Sequence, residues 1–157
     1  MRLTLLMVGK TDEKYLREGV EKYAKRLKHY IDFNMEVIPD VKKAKSNGIE
    51  QQVTREGELI LAKQTSFKEF HLLDERGDSF TSKEFAAFLQ KKMASGLKEL
   101  VLVIGGPYGF SDKVYEHSES CISLSQMTFS HQLARLLCIE QLYRAFTILK
   151  GEPYHHE

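Results

Sequence analysis

The sequence predicts a three-layer α/β domain, in which helices cover both faces of a mostly parallel β-sheet. Apolar runs of strand length alternate about five times with amphipathic runs of helix length, as in sheets built from strand–helix–strand units. The run at residues 100–104 is apolar throughout, as expected of a central parallel strand that is covered on both faces. These two observations carry the fold prediction.

The first half of the chain predicts two strands and two helices. A strand over residues 2–8 enters the core at once, and a helix over residues 13–31 follows with one apolar stripe at helical spacing. A second strand is expected over residues 33–38. The next helix is expected over residues 47–63, because Asn47 with a glutamate three residues later resembles a helix start.

The second half predicts three more strands, each followed by a helix. A strand over residues 69–74 is expected to close in a polar turn at residues 75–78. Thr81 and Glu84 form a capping box for a helix that reaches Ala94. The remaining predicted elements are the strand at 100–104, a short helix at 112–117, a strand at 121–124 and a helix at 130–149.

Length and composition predict one ordered domain over residues 1–157. The chain has 157 residues, of which 42% are hydrophobic and 29% are charged, and this composition excludes wholesale disorder. No apolar run approaches the ~18 residues of a membrane helix, and the apolar start at residues 3–8 lacks a signal-peptide cleavage pattern. Cys121 and Cys138 form neither a metal-ligand spacing nor a disulfide framework. We therefore expect a cytoplasmic protein with no metal and no membrane association.

The candidate site lies in the loops after the third, fourth and fifth strands, because ligands bind beyond the carboxyl ends of parallel strands. The loop after the first strand holds one glycine, which argues against a dinucleotide-binding fingerprint or a P-loop. After the fourth strand, Gly105 and Gly106 would let a ligand approach the backbone closely. A simple tight turn is the alternative for this segment.

The loop at residues 123–129 is a second candidate wall of the site. Its small hydroxyls and one amide stand beside Leu124, Met127 and Phe129, a combination that could hold a flat heterocycle. A polar connection that caps a helix at Ser130 explains the same residues equally well.

The last helix is apolar around most of its circumference. Glu140, Arg144 and Thr147 share one narrow polar face, and a helix that covers a sheet needs only about a third of its surface to be apolar. The pattern therefore predicts packing against a second subunit as well as the sheet, with a central helix of a monomer as the alternative. In the tail, Tyr154 and His155 offer a stacking ring and an imidazole on a mobile arm, although an inert tail would look the same.

Charge is uneven, although the net charge is only +1. Residues 14–28 hold six basic and two acidic side chains, and Lys42, Lys43 and Lys45 follow in a loop. A solvated helix face is one interpretation of this run, and contact with a nucleic-acid backbone is the other.

Four motifs in order resemble one known family. They are IGGPYGFS at 104–111, SLSQMTFSH at 123–131, EQLYRAF at 140–146 and PYH at 153–155. Residues 5–10 and 72–74 match as well, so the resemblance spans the chain. The sequence resembles the SPOUT-class ribosomal large-subunit pseudouridine N3-methyltransferases, the RlmH family.

The resemblance implies a homodimer with a C-terminal trefoil knot that binds S-adenosyl-L-methionine. It also implies methyl transfer to N3 of a pseudouridine in 23S rRNA on the assembled ribosome. The cofactor-binding residues implied by the resemblance are Leu73, Gly105, Leu124, Ser125, Gln126, Met127, Thr128 and Phe129.

The chemistry requires loss of the N3 proton and stabilisation of the anion that develops on the ring. We assign Arg144 as the cation, His155 and Glu140 as candidate proton acceptors, and Tyr154 as a stacking partner for the flipped base or the adenine. Two other classes stay open at this point: a non-catalytic ribosome-binding factor on the same fold, and a flavodoxin-like nucleotide-binding domain.

Overall fold

The computed structural model describes residues 1–41, 48–66 and 68–156. Its strands form one sheet in the order β2-β1-β4-β3-β5, and every neighbouring pair is parallel. This confirms the predicted α/β fold class. The elements are β1 (Arg2–Val8), α1 (Lys14–Leu27), β2 (Asp32–Ile38), α2 (Ile49–Leu61), β3 (Lys68–Ser79), α3 (Ser82–Ala94), β4 (Glu99–Ile104), α4 (Asp112–Glu116), β5 (Ser120–Ser123) and α5 (His131–Lys150).

Helices cover the sheet on both faces. One apolar core joins β1 and β4 to α1, α3 and α5, and a second core joins the opposite sheet face to α2 and α4. On the first face, α5 packs against both α1 and α3. Within one chain this position fully buries Ile139, Leu142 and Phe146. Packing within one chain therefore accounts for part of the apolar circumference of α5, while Leu133, Leu136 and Leu137 stay only partly buried. The homodimer itself stays a prediction.

The predicted turn at residues 75–78 is wrong, because β3 continues through it. The strand pairs with β5 up to Leu73, leaves it, and pairs again from Asp78, so that the segment between them bulges out of the ladder. A Cβ on Gly77 would lie 2.5 Å from the backbone carbon of Cys121, so glycine is required where the bulge passes β5. Polar residues typical of a turn thus belong to an irregular strand.

Helix boundaries follow the local signals closely. The capping box at Thr81 and Glu84 is present, and Ser130 caps α5 by accepting a hydrogen bond from the backbone of Leu133. Helix α1 ends at Leu27, four residues before the predicted end. The predicted helix start at residue 47 and the basic loop at residues 42–45 lie outside the described residues.

No helix among the described residues is long and apolar enough to cross a membrane, and no cluster of side chains there could hold a metal ion. Both cysteines are free; burial raises the pKa of Cys138 to about 12, which makes this thiol unreactive at neutral pH.

Candidate functional site

A cavity of about 750 Å³ opens at the carboxyl ends of β3, β4 and β5, where the sheet topology predicts a ligand site. All three predicted loops line it. Of the eight predicted cofactor-binding residues, only Gln126 does not contribute to the lining, and its side chain is exposed. The seven that line the cavity are Leu73, Gly105, Leu124, Ser125, Met127, Thr128 and Phe129.

Neighbouring side chains limit the space around the glycine loop, which comprises residues 105–111 after β4. A Cβ on Gly105 would lie 3.1 Å from the Phe110 ring, and one on Gly106 would lie 2.7 Å from Oε2 of Glu56. Gly109 has φ +78°, and its N–H donates to the carbonyl of Gly106 over 3.2 Å. The two adjacent glycines are therefore needed for packing within the chain, a reason that the sequence did not reveal.

Hydrogen bonds within the chain hold the loop at residues 123–129. The hydroxyl of Ser123 donates to the carbonyl of Ser125, and the N–H of Met127 donates to Ser125 Oγ over 3.0 Å. The hydroxyl of Thr128 donates to Glu75 across the cavity. The Met127 residue is 75% exposed, so it forms an apolar rim that is open to a ligand.

The bulge in β3 adds an ionic wall that the sequence analysis missed. Arg76 Nε donates to Asp74 over 3.2 Å, its Nη2 donates to the Tyr115 hydroxyl over 2.7 Å, and that hydroxyl donates to Asp74. Burial alone would raise the pKa of Asp74, but hydrogen bonds from Arg76 and Tyr115 outweigh it and lower the pKa. Burial and the Asp74 contact raise the pKa of Tyr115 to about 12, so the phenol stays protonated. The sequence signal that could have indicated this wall was the presence of carboxylate residues at the carboxyl end of the third predicted strand.

The four predicted catalytic residues lie together at the other end of α5. Arg144 Nη2 donates to Glu140 Oε1 over 2.6 Å, and Arg144 Nη1 lies 3.4 Å from His155 Nδ1. The Tyr154 hydroxyl donates to the same Glu140 oxygen over 3.0 Å, and the guanidinium lies 4.8 Å from the Tyr154 ring centroid. The grouping that the sequence predicted is therefore present in the fold.

These contacts seat the tail against the helices. The Tyr154 ring packs edge-on against Tyr143 at 4.7 Å, its hydroxyl lies 3.2 Å from that of Tyr23, and Tyr30 donates to Glu152 over 2.5 Å. The tail is therefore packed against α1 and α5 in this structure, and its mobility stays a prediction.

Electrostatics in this C-terminal cluster keep its members in defined protonation states. The hydrogen bond to Glu140 raises the pKa of Arg144, so the guanidinium remains charged. Burial, then contacts with Tyr23 and Glu140, raise the pKa of Tyr154, so its hydroxyl remains a donor.

Distance separates this cluster from the cavity within one chain. His131 and Ala134 line the cavity at the start of α5, whereas the lining includes none of the four predicted catalytic residues. Arg144 lies ten residues beyond Ala134, which corresponds to about 15 Å along a helix. Within one chain, Arg144 therefore does not line the cavity.

Arg135 is a second residue that the sequence analysis did not single out. It is fully buried, and its guanidinium donates to the carbonyl of Val8 over 2.6 Å and to the hydroxyl of Thr11 over 3.0 Å. These bonds tie the first turns of α5, which line the cavity, to the end of β1. Nothing in the pattern marked this arginine as buried.

Comparison with known proteins agrees with this arrangement. A family model described as a predicted SPOUT methyltransferase matches residues 1–155. The chain is 57% identical to the ribosomal RNA large subunit methyltransferase H of Flavobacterium psychrophilum and 54% identical to that of Parabacteroides distasonis, each over the full length of both chains. A solved structure of a probable methylase family protein from Haemophilus influenzae is 12% identical. It superposes with a TM-score of 0.50 over 99% of this chain and 70% of the other, which is a likeness of fold.

Proposed function

Because the chain belongs to the SPOUT methyltransferase family, we propose that it methylates large-subunit ribosomal RNA with S-adenosyl-L-methionine as the methyl donor. The finer proposal is that the acceptor is N3 of a pseudouridine in the assembled ribosome. The observation that supports it best is the cavity at the carboxyl ends of three parallel strands, lined by all three loops that the sequence singled out.

The residues around the cavity suit this cofactor. Its volume lies within the range of about 300–1,000 Å³ that small-molecule sites occupy. Leu73, Leu124 and Phe129 provide apolar walls for an adenine ring, and the backbone at Gly105 provides hydrogen-bonding groups without a side chain in the way. When bound, S-adenosyl-L-methionine supplies an activated methyl group on sulfur. The protein then has to hold the acceptor in line with that group and manage one proton.

We further propose that a partner subunit supplies the C-terminal cluster to each cavity. Within one chain, Arg144 lies about 15 Å along α5 from Ala134, the last residue of this helix that lines the cavity, and Arg144 does not line it. A homodimer that pairs α5 with its copy can bring the Arg144 of one chain to the cavity of the other, because a two-fold axis reverses the helix direction. The trefoil knot of the resembling family belongs to the same proposal, since it would gather the loops at 105–111 and 124–130 around one ligand.

At the acceptor, Arg144 would face the ring carbonyls and stabilise the anion that forms when N3 loses its proton. The hydrogen bond to Glu140 raises the pKa of Arg144 and keeps its guanidinium charged. The planar guanidinium can also donate to two neighbouring acceptors at once. His155 and Glu140 are both candidate proton acceptors, and both contact Arg144: its Nη1 lies 3.4 Å from His155 Nδ1, and its Nη2 donates to Glu140 Oε1. Tyr154 stays a protonated phenol, and its ring can stack on the flipped base.

The experiment has two arms. Calorimetry measures S-adenosyl-L-methionine binding to the full chain, and mass spectrometry of nuclease digests locates new methyl groups on assembled ribosomes and on free rRNA. We expect micromolar cofactor binding and one added methyl on a pseudouridine of the large-subunit rRNA, with assembled ribosomes as the preferred substrate. Absence of cofactor binding would refute the function, while methylation at another nucleotide would refute only the finer assignment.

A further inference from the structure

A carboxyl group is buried directly behind the glycine loop of the cavity. Glu56, on α2, is only 2% exposed. Its Oε1 accepts a hydrogen bond from Gln52 Nε2 over 3.0 Å, one helical turn earlier. Its Oε2 is also buried, and no donor among the described residues lies within hydrogen-bond distance of it. Burying an oxygen that has no hydrogen-bond donor costs free energy, so the position of Oε2 needs a structural explanation.

That oxygen is pressed against the loop. A Cβ on Gly106 would lie 2.7 Å from Oε2 and 3.1 Å from Oε1 of Glu56, closer than real contacts allow. The next residue on α2 makes a similar approach farther along the loop, since a Cβ on Gly57 would lie 2.4 Å from the hydroxyl of Ser111. Helix α2 therefore abuts the loop at two points, one near each end.

The opposite side of the same loop lines the cavity, from Gly105 through Phe110. A shift of the Glu56 side chain would therefore move the loop backbone, and with it the cavity surface that a ligand would touch. We propose that Glu56 is a positioning residue, which supports Gly106 from behind and holds the glycine loop in its cofactor-binding shape. This inference rests on the proposed function, because it assigns the cavity to S-adenosyl-L-methionine.

The surroundings of Glu56 favour the neutral acid. Burial, and secondarily the negative charge of Asp40, raise its pKa, whereas the hydrogen bond from Gln52 acts in the opposite direction and is weaker than the effect of burial. An ionised carboxylate at this position would leave a charged, buried Oε2 without a donor among the described residues, which is costly. Loss of the proton should therefore displace Gly106 and weaken cofactor binding.

Four variants of the full chain separate this role from simple packing, with S-adenosyl-L-methionine affinity as the readout. Glu56→Gln keeps the shape without a charge and should bind as the parent does. Glu56→Ala removes the side chain that supports Gly106, and Gly106→Ala places a methyl group against the Glu56 carboxyl. Each substitution should therefore weaken S-adenosyl-L-methionine binding about tenfold. Because the two substitutions act through one contact, the double variant Glu56→Ala/Gly106→Ala should also lose about tenfold in affinity. Two independent changes would together cost roughly hundredfold. The matched control is Glu58→Ala, which removes an exposed carboxylate from the same helix.

A pH series adds a readout that packing alone would not move. Parental affinity should fall as the pH rises through the raised pKa of Glu56, and the Glu56→Gln variant should show no such fall, because it has no proton to lose. A Glu56→Gln variant as weak as Glu56→Ala would overturn the assignment of a neutral acid. Multiplicative losses in the double variant would overturn the contact itself.

One arm does not depend on the proposed function. Gly106→Ala should lower the melting temperature of the ligand-free protein, and adding Glu56→Ala should restore part of the loss, because the smaller side chain removes the collision. If the parent binds no S-adenosyl-L-methionine but this rescue is seen, the proposed function fails and the support of the loop by Glu56 stands. An absence of rescue overturns the inference whatever the ligand.

Discussion

Replacement of Arg144 by alanine tests the division of the site between two subunits. The guanidinium donates to Glu140 over 2.6 Å and lies over the Tyr154 ring at 4.8 Å, and about a quarter of the side chain is exposed. A partly exposed ion pair one turn apart contributes only about 0.5–1 kcal/mol to stability. Loss of a donor to a developing anion costs about 3–4 kcal/mol of barrier, or ~10²–10³ in rate. Arg144→Ala should therefore lower turnover by ~10²–10³-fold while the protein remains folded.

Cofactor affinity should respond differently from turnover. Because the proposed composite site places Arg144 against the acceptor ring and not against the cofactor, Arg144→Ala should change S-adenosyl-L-methionine affinity by no more than about twofold. Gly105→Val should abolish binding, because the new side chain enters the cavity wall beside Phe110. Single-turnover transfer of labelled methyl to ribosomes, with calorimetry alongside, measures the two quantities. Lys150→Ala, at an exposed position of the same helix, is the matched control.

Mixed dimers of these two inactive variants give the decisive result. If Arg144 serves the partner's cavity, each heterodimer has one site with an intact Gly105 and an intact Arg144. Random mixing makes about half of the dimers heterodimers, so at least about one quarter of parental activity should return. If each chain completed its own cavity, every site would carry a defect and no activity would return. That outcome, or a monomeric mass by light scattering at micromolar concentration, would refute the composite site.

Three further changes have defined outcomes. Deleting residues 154–157 should leave the dimer intact and lower turnover by about 10²-fold or more, and parental turnover would remove Tyr154 and His155 from the site. Burial lowers the pKa of His71 below its ordinary 6.5, so the folded state binds a proton less readily than the unfolded state. Stability should consequently fall as the pH drops below 6.5, and His71→Gln should flatten the decline in urea unfolding; an unchanged slope would contradict this. Thr81→Ala removes the cap of α3 and should cost about 1 kcal/mol in urea unfolding without altering cofactor affinity, and an unchanged midpoint would show that the cap contributes nothing.

Most of the fold could be read from local patterns. The continuous apolar run of β4, the stripe of α1 and the capping box at Thr81 each depend on residues only a few positions apart. Strand and helix alternation then implied a parallel sheet, and the topology of such sheets pointed to the edge where the cavity lies. The position of the candidate site therefore followed from the sequence. Seven of the eight cofactor-binding residues that the family resemblance implied line the cavity there, and their role in binding stays a prediction.

Other features depend on contacts between distant parts of the chain. The bulge that brings Asp74 and Arg76 into the cavity wall exists because β3 pairs twice with β5, whose residues follow almost fifty positions later. The tail is seated by Tyr23, which precedes Tyr154 by 131 residues. No local pattern distinguishes these residues from ordinary turn and surface positions.

The sequence by itself therefore determined the elements, their layering and the edge of the sheet that carries the site. Only the tertiary structure decided that α5 lies between α1 and α3, that Glu56 lies behind the glycine loop, and that Arg144 lies outside the cavity lining of its own chain. The physical reason is the range of the interactions. Periodicity and capping act within a few turns of one element, whereas burial of a carboxyl group or the reach of a guanidinium depends on which elements the folded chain brings together.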